Sequence, residues 1–278
     1  MNFIEFLKVI VLGIVEGFTE WLPISSTGHM ILVDEVIRLN QPQSYKDMFM
    51  VVIQLGAILA VVVLYFEKLN PFSPRKRREQ TKDTMILWSK IVIACLPAAI
   101  IGLLLNDLIE TYTMNAYVVS AALIIYGVLF ILIENKNHYR NFEVQKVGDI
   151  SYQTALYIGL FQCLAMIPGT SRSGSTILGA MILGCSRTAS AEFSFFLGIP
   201  VMFGASLLKI VKYGMNFSGE QIFYLIFGMI VAFLVSIYSI KFLMGYIRQH
   251  DFKFFGYYRI ILGVIVIGYF CISALLHG

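Results

Sequence analysis

The chain alternates long apolar runs with short polar breaks, and six runs are long enough to cross a bilayer. A membrane helix needs about 20 mostly apolar residues. Stretches at about 47–66, 86–106, 115–134, 191–212, 221–243 and 259–276 satisfy that. Two further segments, about 1–35 and 150–184, are apolar on both sides of a proline and a hydroxyl-rich turn. Non-helical backbone at membrane depth survives only where protein or a wet cavity satisfies its polar groups. The pattern therefore predicts an all-α integral membrane protein with six transmembrane helices plus two re-entrant helical hairpins. A full span on either side of each turn is the alternative.

The two broken segments resemble each other. Residues 13–32 (GIVEGFTEWLPISSTGHMIL) overlay residues 159–178 (GLFQCLAMIPGTSRSGSTIL) without a gap. Gly13 meets Gly159, Ser25 meets Ser171, and Gly28 meets Gly174. Gly56-Ala57 and Gly204-Ala205 are a weaker echo in the span after each segment. Matching interruptions in two halves point to a site buried in the membrane. The expected organisation is a single membrane domain over 1–278, with repeat one at about 1–134, a cytoplasmic linker at about 135–149 and repeat two at about 150–278.

Loop charge orients these spans. Loop 67–83 carries Lys68, Arg75, Lys76, Arg77, Arg78 and Lys82, so it is expected on the cytoplasmic side. The loop near 106–113 has Asp107 and Glu110 and no basic residue, so it is expected outside. Loop 135–149 (Lys136, Arg140, Lys146) and the cluster Lys241, Arg248, Lys253 and Arg259 mark the inside again. Counting spans from these anchors brings the first hairpin in from the outside and the second from the cytoplasm. The two halves are then an inverted-topology repeat.

Composition agrees. The chain is 58% hydrophobic and 14% charged, with a mean hydropathy of +0.77, against about 25% charge in a typical soluble domain. The net charge of +4 resides in short loops, which leaves no footprint for nucleic acid. Cys95, Cys163, Cys185 and Cys271 lie in apolar runs without metal-ligand spacing and read as small buried hydrophobes. The N-terminus lacks the basic start and cleavage site of a signal peptide, and Glu16 and Glu20 interrupt its apolar stretch.

The chemistry concentrates at the two breaks. Glu16 and Glu20 are four apart and share one face of a helix. A carboxylate at the bilayer centre costs about 2.5–3.5 kcal/mol on insertion scales, so the pair asks for a divalent cation or a proton to handle. An interfacial helix with its acids among headgroups is the plainer reading. Ser25, Ser26, Thr27 and His29 follow Pro23. One hydroxyl there could simply cap a helix, but Ser26 and His29 also have nucleophile-and-base spacing. The second break, Pro168 to Thr176, packs five hydroxyls, Gly169, Gly174 and Arg172 into nine residues. Glycines and a helix N-terminus suit an anion, and a guanidinium fork suits phosphate oxygens. Arg172 could also pair with Glu16 or Glu20 across the hairpins. No Walker-type GxxxxGK occurs, which argues against a nucleotide substrate. Acids and hydroxyls on one side and an anion cradle on the other are equipment for phosphoryl chemistry on a lipid.

Glu16-x-x-x-Glu20 followed by Pro-Ile-Ser-Ser-Thr-Gly-His29, with the later Pro168-Gly-Thr-Ser-Arg-Ser-Gly-Ser-Thr176, closely resembles the bacterial undecaprenyl-diphosphate phosphatase, or bacitracin-resistance protein, family. The resemblance extends over the whole chain. It implies hydrolysis of undecaprenyl diphosphate to undecaprenyl phosphate and inorganic phosphate in the bacterial cytoplasmic membrane, with a site open mainly to the periplasmic or outer side. This recycles the carrier lipid for peptidoglycan and other envelope polymers. It implies a divalent cation, Mg or Ca, and no organic cofactor. Carried onto this chain, Glu16 and Glu20 hold the metal or manage protons, Ser26 is the candidate nucleophile and His29 the base or acid. Arg172 clamps the diphosphate with Ser171, Ser173 and Thr176, and Ser25, Thr27 and Gly169 complete the substrate-binding set. A direct attack by water, with His29 or Glu20 as base, is equally compatible with these residues. Inverted repeats with broken helices are also a transporter plan, so a flippase of a phosphorylated prenyl lipid is the rival function.

Overall fold

The computed structural model describes residues 3–214 and 217–277. Within them the chain forms α1 (Phe3–Thr19), α2 (Ser26–Val36), α3 (Gln43–Val52), α4 (Gln54–Leu64), α5 (Phe66–Leu69) and α6 (Arg78–Thr113). These are followed by α7 (Ala116–Asn137), α8 (Tyr152–Cys163), α9 (Arg172–Ile182), α10 (Arg187–Tyr213), α11 (Gly219–Tyr246) and α12 (Lys253–His277). The described residues hold no β-strand, only an isolated bridge between Val144 and Cys185. Six helical stretches are long and apolar enough to cross a membrane: Gln43–Leu64, Arg78–Leu105, Ala116–Asn137, Arg187–Tyr213, Gly219–Tyr246 and Lys253–Ile272. Each overlaps one of the spans expected from the sequence. Their outer faces are strongly apolar, with Leu103, Leu104 and Val211 more than two-thirds exposed. Helices apolar all round belong in lipid, and the protein is a multi-pass membrane protein.

Two differences from the charge-based expectation concern loops. The segment near 106–113 is the end of α6, not a loop. Residues 101–105 (Ile-Gly-Leu-Leu-Leu) carry the helix into it without a break, and the side chains of Asp107 and Glu110 lie outside the described ones. Arg259 does not flank a span at the inner surface. It sits one and a half turns into α12 with its side chain fully buried.

Small residues let the short arms dock. Gly13 and Gly17 of α1 face α11, where a Cβ on Gly17 would approach Val235 Cβ to 2.7 Å. Gly159 of α8, the counterpart of Gly13, lies against Ala94 of α6. Close backbone approach through small residues drives helix packing where lipid removes the hydrophobic incentive. The turns that end α1 and α8 are thereby held inside the bundle. Trp21, Ile24, Ile177, Phe195 and Phe196 belong to one buried apolar cluster around them.

Candidate active site

Both turns end in the same local structure. Ser25 caps α2 with φ 75°, and Ser171 caps α9 with φ 71°. They are the only non-glycine residues with positive φ among those described. A left-handed L-residue costs about 1–2 kcal/mol, and such strain gathers at functional sites. Each serine oxygen accepts a hydrogen bond from the backbone N–H three residues on, Gly28 or Gly174, both at 3.2 Å. The strained cap orients the next residue of each turn, Ser26 in one and Arg172 in the other.

Those two residues converge on Glu20. The Ser26 hydroxyl donates to Glu20 Oε2 at 3.0 Å. Arg172 donates to Glu20 Oε1 from Nη2 at 3.1 Å and from Nε at 3.3 Å. Its Nη1 donates to the Ser194 carbonyl at 2.7 Å. The guanidinium lies over the buried Trp21 ring, 5.4 Å from its centroid, and against Gly198, where a Cβ would come within 2.8 Å of it. Of the two partners the sequence offered Arg172, the structure selects Glu20. Glu16 is buried one turn earlier, with Oε1 lacking any hydrogen-bond partner.

The remaining hydroxyls of the second turn serve its construction. Ser173 donates to the carbonyls of Glu20 at 3.0 Å and Leu22 at 3.4 Å, stitching one turn to the other. With that proton committed, the Ser171 hydroxyl donates to Ser173 Oγ, 3.2 Å away. Thr176 Oγ1 lies 2.9 Å from the Arg172 carbonyl and 2.7 Å from Ser194 Oγ. Gly169 has φ +90°, and a Cβ there would reach 2.5 Å from the Val119 carbonyl oxygen. The side chain of Thr27 lies outside the described ones.

His29 does not bond Ser26. Its Nδ1 contacts the Ser25 carbonyl at 2.7 Å and its Nε2 the Tyr258 hydroxyl at 2.7 Å. The helical turn that spaces the two residues projects the imidazole toward α12, and Ser26 instead turns back to Glu20. In this structure the group that accepts from Ser26 is the Glu20 carboxylate, and His29 faces Tyr258 instead.

Arg259 completes the arrangement. Its Nη1 donates to the Pro23 carbonyl at 3.1 Å, and its Nη2 to the carbonyls of Gly169 and Thr170, each at 2.9 Å. One guanidinium therefore clamps both turns. Its Nε has no partner, and its Cζ lies 5.5 Å from the Tyr126 ring centroid. Sequence reasoning missed this role, along with Tyr258, Ser194 and Gly198. The one signal was an arginine followed at once by Ile260, Ile261 and Leu262, where a helix flank and a buried ligand look alike.

Two serine-capped turns that bring Glu20, Ser26 and Arg172 together, clamped by Arg259 from α12, define a helical membrane protein with a polar, charged centre inside the bundle. A sequence model described as bacitracin resistance protein BacA matches residues 9–265, and the chain belongs to that family. It is 58% identical over 276 residues to an undecaprenyl-diphosphatase of Enterococcus faecalis, covering 98% of this chain and 100% of that one. It is 59% identical over 273 residues to one of Lachnoclostridium phytofermentans, with the same coverage. One of Acetivibrio thermocellus is 59% identical over 267 residues, 96% of this chain and 98% of that one.

Proposed function

We propose that this protein hydrolyses undecaprenyl diphosphate to undecaprenyl phosphate and inorganic phosphate, recycling the carrier lipid of envelope synthesis and conferring bacitracin resistance. The observation that carries the reading is the convergence of Ser26 and Arg172, from different turns, on Glu20. Relatives 58–59% identical over nearly the whole chain bear the name of this activity.

In the proposed mechanism the terminal phosphate competes with Glu20 for Arg172. As Arg172 moves to the phosphate oxygens it frees Glu20 Oε1, and Glu20 Oε2 accepts the Ser26 proton it already faces. Ser26 Oγ attacks phosphorus, the bond to the bridging oxygen breaks, and undecaprenyl phosphate leaves. Water then hydrolyses the phospho-serine, with His29 handling a proton in that step. Arg172 and the backbone N–H groups at the start of α9 offset the charge that builds on phosphorus oxygens.

Glu16 and Glu20 are hard oxygen donors suited to Mg or Ca, which such sites bind through one or two carboxylates plus substrate phosphates. The unpartnered, buried Oε1 of Glu16 fits that role. A cation held there would supply positive charge against the diphosphate.

The same reading places α1–α2 and α8–α9 as re-entrant hairpins entering from opposite faces of the bacterial cytoplasmic membrane, with the site open to the outside. Its support is the matched serine caps, the matched glycine docking and the loop charge. Cysteine labelling of loop 67–83 from the outside would contradict that orientation. The activity itself is tested by phosphate release from undecaprenyl diphosphate by purified protein in detergent, with and without a chelator. Release that stops on chelation and returns with Mg or Ca is expected, whereas a flippase without chemistry releases none.

A further inference from the structure

His29 uses both of its ring nitrogens, and the second partner lies on the last helix. Nδ1 is 2.7 Å from the Ser25 carbonyl, which can only accept. The proton of the neutral ring therefore resides on Nδ1, and Nε2 presents a lone pair. Tyr258 of α12 reaches that lone pair with its hydroxyl at 2.7 Å. The two rings lie parallel within 6°, their centroids 5.6 Å apart. The contact spans 229 residues of sequence, and Arg259, the next residue, holds this part of α12 against both turns.

From this geometry we propose that Tyr258 is a positioning residue for the reaction, acting through His29. It fixes the imidazole's orientation and leaves Nε2 as the atom that takes up and returns the proton. When Nε2 is protonated, the new N–H donates to the phenolic oxygen and the phenol O–H turns to another acceptor. No bond to the tyrosine breaks. The ordering partner of a catalytic histidine is commonly a carboxylate or a carbonyl. Here the Ser25 carbonyl holds one side and a tyrosine the other.

The inference rests on the phosphatase reading and on His29 as its acid or base, and the test separates the two. Tyr258→Phe keeps the ring and removes only the hydroxyl. Phosphate release from undecaprenyl diphosphate is measured for wild type, Tyr258→Phe, His29→Gln and the double variant, with thermal unfolding as the check on folding. The expected result is a fall in kcat of about ten-fold or more in Tyr258→Phe, as for loss of one hydrogen bond to a charged group, with KM and melting temperature near wild type. In the His29→Gln background the second substitution should cost little further, the non-additivity of residues acting as a unit.

Full additivity in the double variant, a kcat equal to wild type, or a change confined to KM would each overturn the role assigned to Tyr258. Where His29→Gln lies below detection, the split between kcat and KM in Tyr258→Phe decides alone. Failure of the underlying reading looks different: wild type releases no phosphate, or His29→Gln turns over normally.

Discussion

Arg172 Nη2 lies 3.1 Å from Glu20 Oε1, joining two turns that are 152 residues apart in the chain. Both side chains are nearly buried, with 10% and 7% of their surfaces exposed. Taking charges out of water is expensive, and a buried pair is weak evidence for stability by itself. Under the proposed mechanism its value is positional, since it keeps Arg172 beside a carboxylate and a hydroxyl until a phosphate arrives.

Ser26→Ala tests the nucleophile. Among the described residues the hydroxyl bonds only Glu20, and its loss should leave the fold intact. The expected result is a fall in phosphate release of about a thousand-fold or more, as for removal of an attacking group, with no trapped phospho-enzyme. Near-normal turnover in a steady-state assay would move the attack to water.

Gly198→Ala tests whether the position of Arg172 matters beyond its charge. A methyl group at residue 198 would come within 2.8 Å of the guanidinium carbon and must push it aside. Misplacement of about 1 Å at a reacting centre can cost 100-fold. A loss of that order is expected in kcat/KM, while the protein still extracts as a monodisperse species in detergent.

Arg259→Met removes the clamp on both turns. Three backbone carbonyls, of Pro23, Gly169 and Thr170, lose their donors. Leaving buried acceptors unpaired costs about 1–3 kcal/mol each in protein contexts. Thermal unfolding should therefore begin markedly earlier, and activity should fall even at temperatures where the variant is folded. An unchanged melting temperature would mean that the turns are held without this clamp.

Glu134→Gln tests a second ion pair, remote from the chemistry. Glu134 receives Arg187 Nη2 at 2.6 Å and Nε at 2.9 Å, and also accepts from the Phe252 backbone N–H at 2.9 Å. It ties α7, α10 and the start of α12 together. Breaking a fully buried pair from one side costs about 3–5 kcal/mol, and the 27% exposure of the Arg187 side chain makes the cost smaller here. A lower melting temperature is expected, with kcat of the folded protein unchanged.

The apolar runs made the six spans legible, because lipid demands about 20 apolar residues per crossing and little else has that length. The paired breaks were legible because proline, glycine and hydroxyls interrupt apolar runs at matching places, and the helices do end there. The sequence also brought Glu20, Ser26 and Arg172 forward as one group, through two motifs whose residue types complement each other. What it left open was which atoms meet. Spacing on a helix suggested Ser26 with His29, but the strained Ser25 cap turns the two side chains to different partners. Arg259 was hidden for another reason. A basic residue next to an apolar run reads as a flank, and only the packing of α12 onto both turns makes it a core residue.

The most direct measurement of the central claim is phosphate release from undecaprenyl diphosphate by purified Arg172→Ala beside wild type, at saturating cation. If the two turns form one active site, wild type releases phosphate and the variant is slower by about 10²–10³-fold, the cost of removing a donor to developing charge. A folded Arg172→Ala protein that turns over at the wild-type rate would contradict it, because the second turn would then contribute nothing to the reaction.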